Sequence, residues 1–177
     1  MHKTNDMESR EDYQKLRSAI DLHVQQLEEK HSKNMACKKG CDMCCLNFDV
    51  FPIEFDAIKK QVTEQYPETL HQELPLDIGE KCLFLVDHQC AIYQARPIIC
   101  RTHGYPLLYM NDSGDQWELS HCELNFNAVE EDYFHEENTY PQDTYNSQLF
   151  MLNKTYIKTA HPDKKEFDLI PLSHLLK

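Results

Sequence analysis

Apolar residues recur at three- and four-residue steps between Ser9 and Ser32. Tyr13, Leu16, Ile20, Val24, Leu27 and His31 fall on one face, with charged residues between them. That period predicts an amphipathic helix, with Ser9 as its cap and Asp12 in its first turn. The bland role for it is a lid packed over whatever follows. A second stripe, Phe55, Ile58, Val62 and Tyr66, predicts a helix that opens at Pro52 and stops before Pro67. A third, Tyr145, Leu149, Leu152, Tyr156 and Ala160, predicts a helix from about Gln142 to Ala160. Between them the pattern shortens to strand-like runs. Phe48–Phe51 alternates. Cys82–Val86 and Cys90–Tyr93 flank a turn at Asp87-His88-Gln89, and Leu107–Met110 and Trp117–Leu119 flank a turn-rich loop. Pro97 is placed to open a helical turn that presents Cys100. Residues 67–81 read as a loop or frayed turn, Glu130–Asp132 with Glu136-Glu137 as a solvated face, and Phe167–Leu172 as an edge segment.

The expected fold class is α+β and mainly helical. It is a small single domain over 1–177, with short β-hairpins organised around a cysteine-ligated metal centre and helices flanking a core at about 37–126.

Charge narrows the partners. With 30 acidic and 18 basic residues the formal net charge is -12. An acidic surface disfavours nucleic acid, since phosphate binding needs a basic one. No run approaches the roughly 18 apolar residues of a membrane span, and Met1–Asp6 lacks the apolar core of a secretory signal. A cytoplasmic location is therefore expected, with no nucleic-acid and no membrane partner. A protein partner stays open.

The eight cysteines carry the chemistry. Four fall within Cys37-Lys38-Lys39-Gly40-Cys41-Asp42-Met43-Cys44-Cys45, and the rest are Cys82, Cys90, Cys100 and Cys122. Thiolates two and three residues apart can converge on one metal centre across a tight loop, and Gly40 permits such a turn. Without a secretory signal, clustered cysteines point to metal rather than disulfides. The first three share the C-x3-C-x2-C spacing of radical S-adenosylmethionine enzymes. However, Met43 stands where an aromatic is usual, and an eightfold βα barrel takes at least about 200 residues. Zinc-ribbon knuckles are not matched either, because Cys45 rather than glycine follows Cys44. Adjacent side chains diverge, so the vicinal pair leaves open one centre with spare thiols or two centres. Lys38 and Lys39 would help to balance thiolate charge. His103 and His121, beside Cys100 and Cys122, could ligate or tune. His23, His31, Tyr93 and Tyr105 read as packing residues. No Ser-His-Asp set or paired carboxylates stand out, so no enzymatic activity is assigned.

Lys39-Gly40-Cys41-Asp42-Met43-Cys44-Cys45, Cys82-Leu83-Phe84-Leu85 and Cys90-Ala91-Ile92-Tyr93-Gln94-Ala95-Arg96-Pro97-Ile98-Ile99-Cys100-Arg101 closely resemble the YkgJ-type cysteine-cluster family, the zinc- or iron-chelating CxxCxxCC domain. The resemblance spans roughly 37–126. It implies a cytoplasmic, bacterial type of metal-cluster protein in which Cys37, Cys41, Cys44, Cys45, Cys82, Cys90, Cys100 and Cys122 supply the metal ligands. It also implies that Arg96 and Arg101 support the cofactor from behind the thiolates. One branch, the flagellin lysine N-methylases, is similar in its cysteine motif. The expected function is an iron–sulfur protein, with a four-iron cluster, in electron transfer or as an accessory. The alternatives are a zinc-stabilised binding module without catalysis and a metal-cluster enzyme related to protein lysine N-methylation.

Overall fold

A computed structural model describes residues 2–71, 79, 81–130 and 132–176, with side chains from residue 7 onward. Helix α1 (His2–His31) packs chiefly on α4 (Gln142–Ala160), and α2 (Pro52–Gln65) packs on both. Their apolar stripes meet in one core cluster of Tyr13, Leu16, Ile20, Leu27, Ile53, Ala57, Ile98, Tyr140, Leu149 and Tyr156. The stripes read from the sequence thus face inward, as burying apolar area requires. Helix α4 runs over the residues its period predicts, and α2 opens at Pro52 and ends at Gln65, two residues before Pro67. Helix α1 corrects the sequence reading at its start. It begins at His2, so Ser9 lies inside the helix, buried, and does not cap it.

The strands are short. β1 (Asp49–Val50) pairs antiparallel with β7 (Ile170–Pro171), so the C-terminal segment does close on the run after the cysteine loop. β2 (Leu85–Val86) and β3 (Gln89–Cys90) form the first hairpin, in the register Leu85↔Cys90. Asp87 and His88 both take positive φ, 47° and 61°, the pairing that a two-residue type I′ turn demands. β4 (Leu107–Met110) pairs with β5 (Trp117–Ser120) as the second hairpin, and β6 (Tyr140–Pro141) adds to β4 in parallel. Between the hairpins, Pro97 precedes a one-turn helix, α3 (Ile98–Thr102), which carries Cys100.

A second core cluster lies under the hairpin side: Val50, Phe55, Ile58, Val62, Phe84, Ile92, Ala95, Ile170, Leu172 and Leu175. Cys82 and Cys90 pack against it. Of the stretch 67–81, Pro67–His71 forms a 3-10 turn, while Pro75 lies outside the described residues. Glu130, Asp132, Glu136 and Glu137 are exposed, as expected of a solvated face, and Glu131 lies outside the described residues. Among the described residues no helix is long and apolar enough to cross a membrane.

Candidate metal centre

Two backbone stitches present the thiols. The first joins the start of the cysteine loop to the segment after β5. Phe126 N–H donates to the Asn34 carbonyl (2.7 Å), and Asn125 N–H donates to the Cys122 carbonyl (2.9 Å). The Asn125 side chain completes the stitch. Its Oδ1 accepts Ala36 N–H (2.8 Å), and its Nδ2 donates to the Gly104 carbonyl (2.7 Å) and to Cys37 Sγ (3.4 Å). Gly104 adopts φ +93°, and a Cβ there would lie 3.1 Å from Cys37 Sγ and 3.9 Å from Cys122 Cβ. Only glycine fits this close approach.

The second stitch joins the end of the loop to the first hairpin. Cys45 N–H donates to the Asp42 carbonyl (3.0 Å), and Leu46 N–H to the Cys44 carbonyl (3.0 Å). These two turns swing the chain around, so that Cys82 N–H donates to the Cys45 carbonyl (3.0 Å) and Leu46 forms an antiparallel bridge with Lys81. Asn47 Oδ1 accepts Leu83 N–H (3.2 Å), and Asp42 Oδ2 meets His88 Nδ1 at 2.9 Å.

Cys82 and Cys90 share one local design. Phe84 and Ile92, each two residues on, are buried in the core, and their backbone N–H groups point at the Cys82 and Cys90 sulfurs. An N–H aimed at sulfur favours the thiolate. Burial works the other way. It pushes the Cys82 thiol up to about 11 against that hydrogen bond. It raises Cys100 further, with negative charge on Cys82, Cys90 and Cys45 adding to the effect and Arg96 opposing it. Burial also raises Cys37, Cys44, Cys45 and Cys90. Without a cation these half-buried sulfurs are held as thiols. A bound metal reverses that balance, because its charge stabilises the deprotonated form.

Cys37, Cys41, Cys44, Cys45, Cys82, Cys90 and Cys100 all line one cavity of about 670 Å³. Cys122 does not line it, but stands behind Cys37 at Gly104. No cysteine is in a disulfide. Among the described residues, no three Cys, His, Asp or Glu side chains converge tightly enough to grip one ion. The thiols surround a space rather than a point.

The two arginines do different things. Arg96 lies over the Tyr93 ring at 3.5 Å, donates to the Tyr93 carbonyl (2.9 Å), and lowers the cost of ionising Cys45, Cys90 and Cys100. Arg101 is buried and lines the cavity as well. Its Nη1 meets both Asp21 carboxylate oxygens (2.7 and 2.8 Å), while Nε and Nη2 donate to the carbonyls of Arg96 (2.8 Å) and Gln94 (2.6 Å). It clamps the Cys90–Arg101 segment to α1.

Of the two histidines beside the cysteines, His103 lines the cavity and His121 does not. His103 Nδ1 lies 2.9 Å from the Ile99 carbonyl and its ring packs on Phe48. His121 Nδ1 lies 3.1 Å from the Cys122 carbonyl, with its ring stacked on Phe134. His23 packs on Tyr140, and buried His31 meets the Asn138 carbonyl and the Tyr133 hydroxyl. Tyr105 joins the helical core from the cavity wall. Tyr93 departs from its expected core position. It is 54% exposed and serves as the platform under Arg96.

Three supporting residues had escaped the sequence reading. Asp21 anchors Arg101, and Asn125 ties Cys37 to Gly104. Glu54 is fully buried and accepts hydrogen bonds from Ile98 N–H (3.0 Å) and the Tyr13 hydroxyl (3.4 Å), which fixes the start of the helix bearing Cys100. Burial pushes its carboxyl up to about 7.

Residues 36–123 match the CxxCxxCC family model, described as "Putative zinc- or iron-chelating domain". The chain belongs to this family. The seven thiols that line the cavity all fall in the matched stretch, while Asp21, Val24, Gln25 and Glu28 of α1 wall it from outside that stretch, and the soft thiol donors suit the metals that the description names. An uncharacterized protein of Methanocaldococcus jannaschii is 36% identical over 67 residues, which cover 33% of this chain and 37% of that protein. The chain therefore spans little more than a third of that relative's length. No solved structure matches.

Proposed function

We propose that this CxxCxxCC domain carries a cysteine-ligated iron–sulfur cluster and serves in electron transfer or as a cluster-bearing accessory to a protein partner. The carrying observation is that seven thiols surround a single cavity of about 670 Å³. A lone tetrahedral zinc holds its sulfurs at about 2.3 Å, hence close together. A polynuclear cluster holds its cysteines around a larger body, which suits the spread of these thiols. Arg96 and the N–H groups of Phe84 and Ile92 face the sulfurs. Such groups stabilise cluster thiolates and set their potential. When bound, the cluster would supply one-electron chemistry, while the chain holds it and excludes water from the hairpin side.

Zinc is the second reading. The repeated unit of cysteine, any residue and buried apolar residue at Cys82 and Cys90, with its N–H directed at sulfur, equally suits a structural zinc thiolate. Anaerobic purification separates the two. Absorbance in the thiolate-to-iron charge-transfer region, with iron and acid-labile sulfide in equal amounts, is expected. A colourless protein with stoichiometric zinc would overturn the iron–sulfur reading in favour of the zinc module.

A further inference from the structure

We infer that β5 (Trp117–Ser120) takes an extended peptide segment of a protein partner as a further strand, and that this segment alternates apolar residues with lysine or arginine. No residue of β5 lines the thiol cavity. The inference therefore stands apart from the metal-binding reading and survives its failure.

β5 is the free edge of its sheet, whose order is β5-β4-β6. All four of its residues are exposed. Asn111 N–H donates to the Gln116 carbonyl (2.9 Å), which makes these two a hydrogen-bonded pair at the head of the hairpin. Bonded and non-bonded pairs alternate along an antiparallel ladder. The bonds to β4 therefore fall at Tyr109↔Glu118 and Leu107↔Ser120. The N–H and carbonyl groups of Trp117 and Leu119 point off the edge, and among the described residues nothing bonds to them. Free edges are commonly blunted by lysine, proline or a bulge. β5 has no lysine or proline, and its register runs through four consecutive pairs. The side chains agree. Leu107 and its partner Tyr140 turn to the helical core. Leu108, Met110, Trp117 and Leu119 share the opposite face, and none of them is buried. Trp117 is 58% exposed and Leu119 37%.

Charge selects the occupant. Between Arg101 and Lys154 the chain has no lysine or arginine and ten aspartates and glutamates. Glu118 stands in the middle of the edge, on the face opposite Trp117 and Leu119. The Tyr109 hydroxyl bonds to it, which leaves its charge in place. An incoming strand sets a side chain beside Glu118, where a basic one is favoured and an acidic one is not. The residues on either side of that one fall on the Trp117 and Leu119 face, where apolar groups cover the exposed rings and methyls. In strand addition of this kind, main-chain bonds give affinity and alternate side chains give specificity. The same charge disfavours a second copy of the chain. A twofold pairing through the free groups of Trp117 and Leu119 would set the two copies of Glu118 directly opposite each other, a destabilising like-charge pair, between chains of net charge -12.

Trp117 is the chain's one tryptophan, so tryptophan fluorescence reports this edge. The full chain as purified is titrated with a short synthetic peptide of alternating valine and lysine. Emission should shift to the blue and saturate at one peptide per chain. Amide exchange read by mass spectrometry should slow at the outward N–H groups of Trp117 and Leu119. An unshifted emission, or unchanged exchange at the edge, overturns the proposal. So does equal binding of the same peptide with glutamate in place of lysine, which would remove the basic partner. Equal binding of a peptide N-methylated at its valines would mean attachment without strand hydrogen bonds, and overturns it too. Glu118→Lys should weaken the valine–lysine peptide about fivefold with an unchanged far-UV spectrum, and a folded variant that binds as tightly as the wild type overturns the proposal. Where the variant fails to fold, the wild-type titrations decide. A concentration-dependent dimer of the peptide-free chain, with Trp117 emission already shifted to the blue, makes a second copy the occupant and overturns the peptide.

Discussion

The helical half and the thiol half of this domain are held together in different ways. In the helical half, α1, α2 and α4 carry long stripes that meet in a core of fully buried side chains such as Tyr13, Ile20, Ile53 and Tyr156. Burial there is its own reward, because each apolar side chain removed from water stabilises the fold. In the thiol half the regular elements are strands of two to four residues and one helical turn. It also holds half-buried thiols whose ionised form burial disfavours. The cost on that side is offset when a cation arrives. The comparison teaches that one half specifies the fold from sequence pattern alone, while the other specifies a site whose stability is linked to its ligand.

Metal removal is the strongest way to break the comparison. Thiolate metal sites supply on the order of 10 kcal/mol to small domains. Chelation, or Cys100→Ser, should therefore open the hairpin and α3, residues 82–102, to amide exchange while α1 and α4 stay protected. Hydrogen exchange read by mass spectrometry checks this. Equal opening of both halves would mean that the helical core does not stand without the metal.

The reciprocal change is Ile20→Ala, in the helical core. Truncating a fully buried aliphatic side chain costs about 2–5 kcal/mol. Denaturant unfolding of the metal-loaded protein should register that loss, with the metal content per folded chain unchanged. A fall in metal content at this distance would show that the halves are coupled more tightly than their separate cores suggest.

What the sequence disclosed follows the same divide. The period of 3.6 located α2 and α4 almost to the residue, because their stripes are long and their ends carry prolines. It did not locate the start of α1. Residues before Ser9 have no apolar stripe, and a serine suited to capping is also tolerated inside a helix. Both hairpins were legible from their turn residues, even though Asp87 and His88 reach positive φ without glycine. The cysteines were visible as a set, and the family match over 36–123 gives the stretch its metal-binding character. The way the chain brings seven thiols around one cavity was not visible. It depends on Cys82 N–H finding the Cys45 carbonyl and on Asn125 reaching Gly104, contacts across 37 and 21 positions (82 − 45; 125 − 104) that no local pattern encodes. Glu54 was missed for a related reason. A glutamate in the first turn of a helix reads as an exposed group favoured by the helix dipole, and nothing nearby in the chain announces Ile98 above it.

Glu54 joins the halves, and its titration sharpens how they communicate. Its carboxyl, faced by the Tyr13 hydroxyl, Ile98 N–H and the charge of Arg101, is pushed up to about 7 chiefly by burial. A carboxyl raised in the folded state favours folding below its unfolded value near 4.5, and that contribution is lost as pH rises toward 7. The loss amounts to about 3 kcal/mol across that window, at roughly 1.4 kcal/mol per pH unit. Glu54→Gln keeps the acceptor oxygen for Ile98 and removes the titration. The difference in unfolding free energy between wild type and variant should therefore change across pH 4.5–7 and level off above it. A constant difference would mean that the Glu54 carboxyl titrates in the folded protein as it does in the unfolded chain.

The smallest change tests the thiol half against itself. Gly104 holds φ +93° and lies where a Cβ would press on Cys37 Sγ at 3.1 Å and on Asn125 Nδ2 at 3.4 Å. Gly104→Ala asks a non-glycine residue to take a strained backbone, at about 1–3 kcal/mol, and displaces the brace that positions Cys37 beside Cys122. Metal titration of the folded variant should show weaker binding than in the wild type. Unchanged binding would show that the Asn125 brace does not position Cys37 for a metal.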